Sequence, residues 1–316
     1  MKREENKQTK IAIVIPVYNR KAHTLNCLRQ LQMIDKTGMD ITIVVVDDGS
    51  SDGTSELVAT EYPEVVILRG DGNLWWSGAT NMGVKYALDQ KSDYVLALND
   101  DVEFQGDFLV QLLKTAKSYD NTIVCGIVCD TDRKDKIMSA GLRAKGFLNY
   151  IYTGHLSGAD VSALPENEFA SDITAGRAVL IPTEVFREVG LFDAQKFPHH
   201  MGDMDFILRA KKKGFKVLVN PRSFVYTKIG DNYFPIQIIE KSVWQNIKGF
   251  FHVKSTVNFR TRWNFYLRHT PYFLGWISFL YFCLRMSIVI IYKILMPKQM
   301  LVRVMKKRSL KVQSMK

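Results

Sequence analysis

The chain has 316 residues, 47% of them hydrophobic, and its 43 Lys and Arg against 32 Asp and Glu give a net charge of +11. That length holds one large domain, or one domain with an appendage, around a sizeable core. The basicity does not mark the whole chain as a nucleic-acid binder, because residues 1–240 carry 28 basic and 32 acidic side chains, a net of −4, whereas residues 241–316 hold 15 basic and no acidic ones.

The asymmetry divides the chain into a domain over residues 1–240 and a basic, hydrophobic helical tail over residues 241–316. It reserves any anionic partner for the tail, and no nucleic-acid partner is expected. Met1–Lys10 is charged and has no apolar h-region, so no secretory signal is expected and the domain is placed in the cytosol. Ile11–Ile15 is a β-rich apolar run stopped by Pro16, a buried first strand. A loop through Arg20 leads to a helix over Lys21–Met33, with Leu25, Leu28 and Leu31 periodic. A second strand, Ile41–Val46, ends in Asp47-Asp48-Gly49-Ser50, and Asp52 sits among turn and cap residues before the next helix. A third strand, Val65–Leu68, precedes Gly70–Gly83 and a helix through Leu88. The fourth strand begins at Tyr94 and runs into Asn99-Asp100-Asp101.

Strand–loop–helix repeated in this way predicts a parallel α/β sheet. The absence of G-x-G-x-x-G between the first strand and helix disfavours a dinucleotide-binding domain. Further on, a helix over Asp107–Tyr119 and a strand over Thr122–Val128 precede an irregular stretch, residues 130–170, with a short strand around Phe147–Tyr152. A strand over Ala178–Ile181, a helix from Thr183 to near Gly190, the loop Phe192–Gly202 and a helix from Asp203 to Lys213 follow. The last strand, Lys216–Val219, is ended by Asn220-Pro221. The scattered Cys27, Cys125, Cys129 and Cys283 lack zinc-type spacing and read as structural thiols.

Asp100 and Asp101 follow an apolar strand, at the edge of an open α/β sheet where ligands bind. Adjacent carboxylates repel unless a cation sits between them and a ligand, so a divalent metal holding a diphosphate is one reading and a plain polar turn is the other. With the neighbouring motifs added, five segments resemble the inverting GT-A glycosyltransferases of family 2: Ile15-Pro-Val-Tyr-Asn19, Val46-Asp-Asp-Gly-Ser50, Gly72-Asn-Leu-Trp-Trp-Ser-Gly-Ala-Thr-Asn81, Leu98-Asn-Asp-Asp-Val102, and Gly202-Asp-Met-Asp-Phe with Arg209. They occur in the family's order and span residues 11–230, and the Gly-Asn-Leu-Trp-Trp segment looks most like bacterial rhamnosyltransferases of surface-polysaccharide synthesis.

The resemblance implies a Rossmann-like, mixed, mostly parallel sheet flanked by helices. It also implies a nucleotide-diphosphate sugar donor, a glycan or lipid-linked acceptor, and Mg²⁺ or Mn²⁺. Pro16, Tyr18, Asn19 and Asn73 would frame the nucleotide, and one of Asp47 and Asp48 would accept a pyrimidine imide N–H. Asn99-Asp100-Asp101 would be the DXD-type motif, with Asp101 the metal ligand and Asp100 near the ribose or sugar. Asp203 would be the general base that the weakly nucleophilic acceptor hydroxyl requires. Trp76, Arg177 and Asp205 would face the acceptor, with Arg177 and Arg209 as candidates for contacts to either the diphosphate or the acceptor. Beside these stand plainer readings: Trp75 and Trp76 as core packing, Arg177 and Arg209 as salt-bridge partners, and His199 and His200 as surface residues rather than extra metal ligands.

In the tail, the longest charge-free run, Thr270–Leu284, is shorter than the ~20 residues a spanning helix needs. Arg268, Ser278, Arg285 and Lys293 share one sector of a helical wheel, which suits a helix lying in the interface. Lys298, Arg303, Lys306, Lys307, Arg308 and Lys311 would each add about 1 kcal/mol at an anionic leaflet. The tail therefore points to a peripheral enzyme on the cytoplasmic side of the membrane, or else to a helix packed within the protein. The competing functions are a nucleotidyltransferase on a related sheet, which would need a phosphate-cradling loop that Pro16-Val-Tyr-Asn lacks, and an inactive glycan- or membrane-binding domain.

Overall fold

The computed structural model describes residues 8–145, 151–174, 176–228 and 242–295. They fall into two compact units, the first drawn from Met1–Arg143 and Thr153–Lys228, the second from Ala144–Tyr152 and Ile229–Lys316.

The first unit opens β1 (Thr9–Val17), α1 (Lys21–Gln32), β2 (Met39–Asp47), α2 (Thr54–Glu61), β3 (Val66–Arg69), α3 (Trp75–Asp89) and β4 (Tyr94–Leu98). It continues with β5 (Glu103–Phe104), α4 (Phe108–Ser118), β6 (Thr122–Asp130) and β7 (Ile137–Ser139). A separate two-stranded sheet pairs β8 (Leu142–Lys145) with β9 (Ile151–Gly154). β10 (Phe169–Ala170), β11 (Ala178–Pro182), α5 (Thr183–Val189), α6 (Gly202–Lys212) and β12 (Lys216–Thr227) complete it.

The main sheet has the order β10-β12-β6-β11-β4-β1-β2-β3, with β5 added to β12 and β7 to β6. β4, β1, β2 and β3 pair in parallel, as do β6 and β12, while β11 runs antiparallel between β4 and β6. The sheet is thus mixed and mostly parallel. β1 is buried on both faces, Ile11 through Ile15 being at most 1% exposed, which is why it reads as an unbroken apolar run. On one face Ile11, Ile13 and Ile15 join Leu28, Leu31, Phe108 and Leu112 in the core. On the other α3 lies so close that a Cβ on Gly83 would overlap Val14. Each such aliphatic side chain contributes about 1.5–3 kcal/mol on burial.

Strand direction builds the site. The parallel β1, β2 and β4 release residues 18–20, 48–53 and 99–102 at the same edge of the sheet. Because β11 is antiparallel and its Ala178 pairs Leu98, the residues that enter it arrive at that edge too.

Two strand ends differ from expectation. Pro16 does not stop β1, since β4 pairs β1 only as far as Val14 and Pro16 needs only the β2 ladder. Asn220-Pro221 does not end β12 either. The register against β6 shifts between Val219 and Phe224, and this irregularity absorbs the proline's missing N–H. Asn220 stitches the bulge, donating from Nδ2 to Gln111 O (2.9 Å) and Thr115 Oγ1 (2.8 Å) and accepting from Arg222 N (2.7 Å). Of the strand expected around Phe147–Tyr152, the described part begins at Ile151. Burial pushes the thiols of Cys125 and Cys129 up to about 12 and about 11, which leaves both inert as nucleophiles.

The second unit holds α7 (Val243–Gly249), α8 (Phe259–His269) and α9 (Tyr272–Leu295). A capping box starts α7: Ser242 Oγ accepts Gln245 N–H at 3.1 Å and Gln245 Oε1 accepts Ser242 N–H at 2.7 Å. α8 meets α9 through aromatic edges, Trp263 lying 4.5 Å from Trp276 and 5.0 Å from Phe279. Leu274, Ser278, Phe282 and Met286 of α9 are buried, whereas Phe273, Trp276, Leu280, Leu284, Ile288 and Ile291 form an exposed stripe at helical spacing. Phe273–Leu295 has mean hydropathy 1.9 and is, among the described residues, the one helix long and apolar enough to cross a membrane by length and composition. The basic run from Lys298 to Lys311 lies outside the described residues.

Candidate active site

The loops after β1 and β2 are cross-linked before any ligand is considered. Asn19, at φ 51, donates its N–H to Ser50 Oγ (2.8 Å) and accepts Ser51 N–H on Oδ1 (2.7 Å). Asp47 accepts Ser50 N–H at 2.8 Å and the Ser55 hydroxyl. Asp48 accepts three backbone N–H groups: Gly72 at 3.0 Å, Leu74 at 3.1 Å and Trp75 at 2.9 Å. It thereby caps α3 from another strand, since no side chain of α3's own cap does so. Asp47 and Asp48 are 3% and 5% exposed, and their carboxylates, already engaged, hold these loops together. Asp52 behaves as the turn residue expected, accepting Lys21 N–H at 3.0 Å and Thr54 N–H at 3.1 Å. Tyr18, Asn19 and Asn73 are exposed and Pro16 is partly buried.

The Gly72–Asn81 segment ties this wall to the loop that precedes α6. Ser77 donates its N–H to Pro198 O (2.9 Å) and its hydroxyl to Phe197 O (2.6 Å). Asn81 clasps Phe192 twice, Nδ2 to its O at 2.8 Å and Oδ1 from its N–H at 2.9 Å. Trp76 donates Nε1–H to Asn99 Oδ1 at 3.1 Å and meets Phe192 edge-on at 5.4 Å. This gives Asn99 a role of its own, as acceptor for an indole that a sheet-edge turn would otherwise leave unpaired. Trp75 lies 6.2 Å from His199, whose ring is 4.7 Å from His200.

The two carboxylates after β4 face different ways. Asp100 is 6% exposed; Arg20 Nε donates to its Oδ2 at 3.0 Å and stands 2.8 Å from its Oδ1, and Thr24 Oγ1 donates at 3.3 Å. Burial raises its carboxyl above the ordinary range, with Arg20 opposing that and Asp101 adding to it. Asp101 turns outward. Arg20 Nη2 stands 3.3 Å from its Oδ2, Arg177 Nη1 is 4.0 Å from its Oδ1, and that Oδ1 is buried with no hydrogen-bond partner. An ion fits there: a buried, unbonded carboxylate oxygen is a donor atom lacking a cation, and Mg²⁺-type ions take one or two protein carboxylates plus phosphate oxygens. No group of three or more His, Cys, Asp or Glu side chains among the described residues forms a protein-only cage, so an ion held by Asp101 would lean on its substrate. Among the described residues, His199 and His200 belong to no group of three or more such side chains.

Across Asp101 lies Arg177, whose carbonyl accepts Asn99 N–H at 2.9 Å and whose Nη1 donates to Thr227 Oγ1 at 3.1 Å. Burial lowers its pKa, while Asp101 and then Asp203 raise it, so this guanidinium is coupled to both acids. Asp203 stands in the first turn of α6 and accepts Met204 N–H at 2.8 Å on Oδ1. Burial pushes its carboxyl up, against that hydrogen bond and Arg177. Gly176, at φ +68, lets it approach, because a Cβ there would overlap the Asp203 carboxylate. A small apolar pocket beside Asp203 is lined by Trp76, Thr174, Phe192 and Phe206 among others.

Asp205 is not brought to this cleft. It is 0% exposed and paired with Arg209 Nε at 2.8 Å, and Arg209 also donates to Val189 O and Leu191 O. The acceptor-facing role expected of Asp205 is therefore corrected to a structural one, and the i,i+4 spacing to Arg209 was the signal. Arg20, Gly176 and Thr227 belong to the site without having been singled out from the sequence. A lone arginine in the loop after a central strand, beside a strand ending in two acids, was the available clue for Arg20.

The chain is similar to known proteins in sequence and in fold. Glycosyl transferase family 2 matches residues 12–163. The dTDP-rhamnosyl transferase RfbF of Shigella flexneri is 20% identical over 245 residues, covering 78% of each chain. The succinoglycan biosynthesis protein ExoA of Rhizobium meliloti is 27% identical over 232 residues, covering 72% of this chain and 66% of its own. In fold, the chain matches the mannosyltransferase PcManGT of Pyrobaculum calidifontis, solved with GDP-Man and Mn²⁺, at a TM-score of 0.55 and 14% identity, over 96% of this chain and 81% of that one. The chain is thus similar to glycosyl transferase family 2 over residues 12–163, and its fold is GT-A-like α/β.

Proposed function

We propose that this glycosyltransferase moves a sugar, with inversion, from a nucleoside-diphosphate donor to a hydroxyl of a glycan or lipid-linked acceptor in surface-polysaccharide synthesis. The observation that carries the reading is the sequence of charges across the cleft: Asp101 with an unbonded oxygen, Arg177 coupled to both acids, and Asp203 with a raised carboxyl. Pro16, Tyr18, Asn19 and Asn73 border the nucleoside, in a pocket whose walls Asp47 and Asp48 fix. Asp100 acts through Arg20, which it holds beside Asp101.

Asp101 would hold a Mg²⁺ or Mn²⁺ ion, which would supply Lewis-acid neutralisation for the departing diphosphate. Asp203 takes the acceptor hydroxyl's proton. Its burial makes it a stronger base than a surface carboxylate, and Oδ2 is the oxygen left for the proton because Oδ1 holds Met204 N–H. Trp76, fixed by Asn99, borders the acceptor, and Arg177 stands between Asp101 and Asp203, within reach of diphosphate or acceptor. Inversion follows from a single displacement with one base.

The RfbF relative supports dTDP-rhamnose as the first donor to test, the ExoA relative supports a surface-polysaccharide product, and the Mn²⁺ of the PcManGT complex supports that ion. The exposed stripe on α9 supports peripheral docking on the cytoplasmic face of the membrane, apolar side chains in the leaflet and basic ones at the headgroups. The test is thermal stabilisation by dTDP, UDP and GDP with Mn²⁺. At a hundredfold excess over Kd, one of them is expected to add about 2.7 kcal/mol of stability. No stabilisation by any of the three would remove the nucleotide-sugar reading.

A further inference from the structure

We infer that Arg20 and Arg177 form a cationic clamp that binds the donor's diphosphate group in the absence of any divalent ion. This rests on the proposed donor site at Asp101 and adds to it two side chains that act without the metal.

Arg20 is built to present charge. Its Nε is fixed on both oxygens of buried Asp100, which sets the plane of the guanidinium and leaves the Nη edge to the cleft. There Nη2 reaches Asp101 at 3.3 Å, longer than the usual ~2.8 Å of a charge-assisted bond. Among the described residues no hydrogen bond engages Nη1, and the side chain is 38% exposed. Arg177 approaches the same carboxylate from the other side, at 4.0 Å, held by one hydrogen bond to Thr227 and 30% exposed. Two guanidinium groups therefore flank one carboxylate that satisfies neither. A planar fork with unused N–H groups is the side-chain chemistry that takes phosphate oxygens bidentately. A diphosphate placed against Asp101 meets both forks, and it can displace their weak contacts without breaking the Arg20–Asp100 pair.

The experiment is calorimetric titration of the full chain with dTDP, UDP, GDP and the matching nucleosides, in EDTA and in Mn²⁺. The expected result is that one diphosphate binds in EDTA at least ~10-fold more tightly than its nucleoside, with an affinity that falls as salt rises. Arg177→Gln and Arg20→Lys are each expected to weaken that metal-free binding ~10-fold, the lysine because it keeps the charge near Asp100 but loses the fork. Circular dichroism of both variants checks the fold. Tight diphosphate binding in Mn²⁺, with none beyond the nucleoside's in EDTA, overturns the clamp and leaves the donor site standing. Unchanged metal-free affinity in both variants overturns it as well. Absence of nucleotide binding under both conditions overturns the clamp together with the proposed function.

Discussion

Asp48 and Asp203 stand at the same edge of one sheet and do opposite work. Asp48 accepts three backbone N–H groups and is part of the scaffold. Asp203 accepts only the backbone N–H groups of its own turn, Met204's among them, and keeps a carboxyl raised by burial. Asp205, two residues further along, is fully buried and paired with Arg209. The contrast teaches that the acids of this cleft are separated by what they already bond, and not by where they lie in the sequence. A satisfied carboxylate holds loops in place, whereas an unsatisfied one is available for chemistry.

Substitutions at the two kinds of acid should therefore part stability from activity. The largest effect is expected for Asp203→Asn, a loss of about 10²–10⁴-fold in transfer rate with the fold retained. Its stability effect runs the other way. A carboxyl whose folded pKa lies above its unfolded value costs nothing below the unfolded pKa, and its cost is complete above the folded pKa. The Asn variant should thus melt at or above the wild type at pH 8, and any advantage should vanish below about pH 4. Wild-type transfer should fall as pH drops through that raised pKa. Asp48→Ala should reverse the pattern, losing about 3 kcal/mol in denaturant unfolding because three partly buried N–H groups lose their acceptor. Gly176→Ala should cost about 2 kcal/mol, from a left-handed backbone and overlap with Asp203, and should slow transfer with it. Trp76→Phe keeps the edge contact with Phe192 and loses the bond to Asn99, about 1 kcal/mol in the same unfolding measurement.

Much of this was legible beforehand, and the reasons are local. The doubly buried parallel strands write themselves as apolar runs, so Ile11–Ile15, Ile41–Val46 and Tyr94–Leu98 lead directly to the loops of the site. Asp101 and Asp203 stand in segments whose order resembles one family. What stayed hidden depends on partners far along the chain. Arg20 meets acids 80 residues away, and Gly176 matters only because Asp203 folds back over it. β12 continues through Pro221 because a bulge, which no periodicity announces, absorbs the missing N–H. Asp205 was misread because adjacency to Asp203 outweighed its helical spacing to Arg209.

The central claim is that Asp203 serves as the base of a nucleotide-sugar transferase. It is tested most directly by nucleoside-diphosphate release from dTDP-rhamnose, UDP- and GDP-sugars, with Mn²⁺ and a lipid-linked acceptor, by wild type and Asp203→Asn in parallel. The account predicts acceptor-dependent release from one donor by the wild type and a loss of at least ~10²-fold in the folded variant. Equal release by both proteins would contradict it.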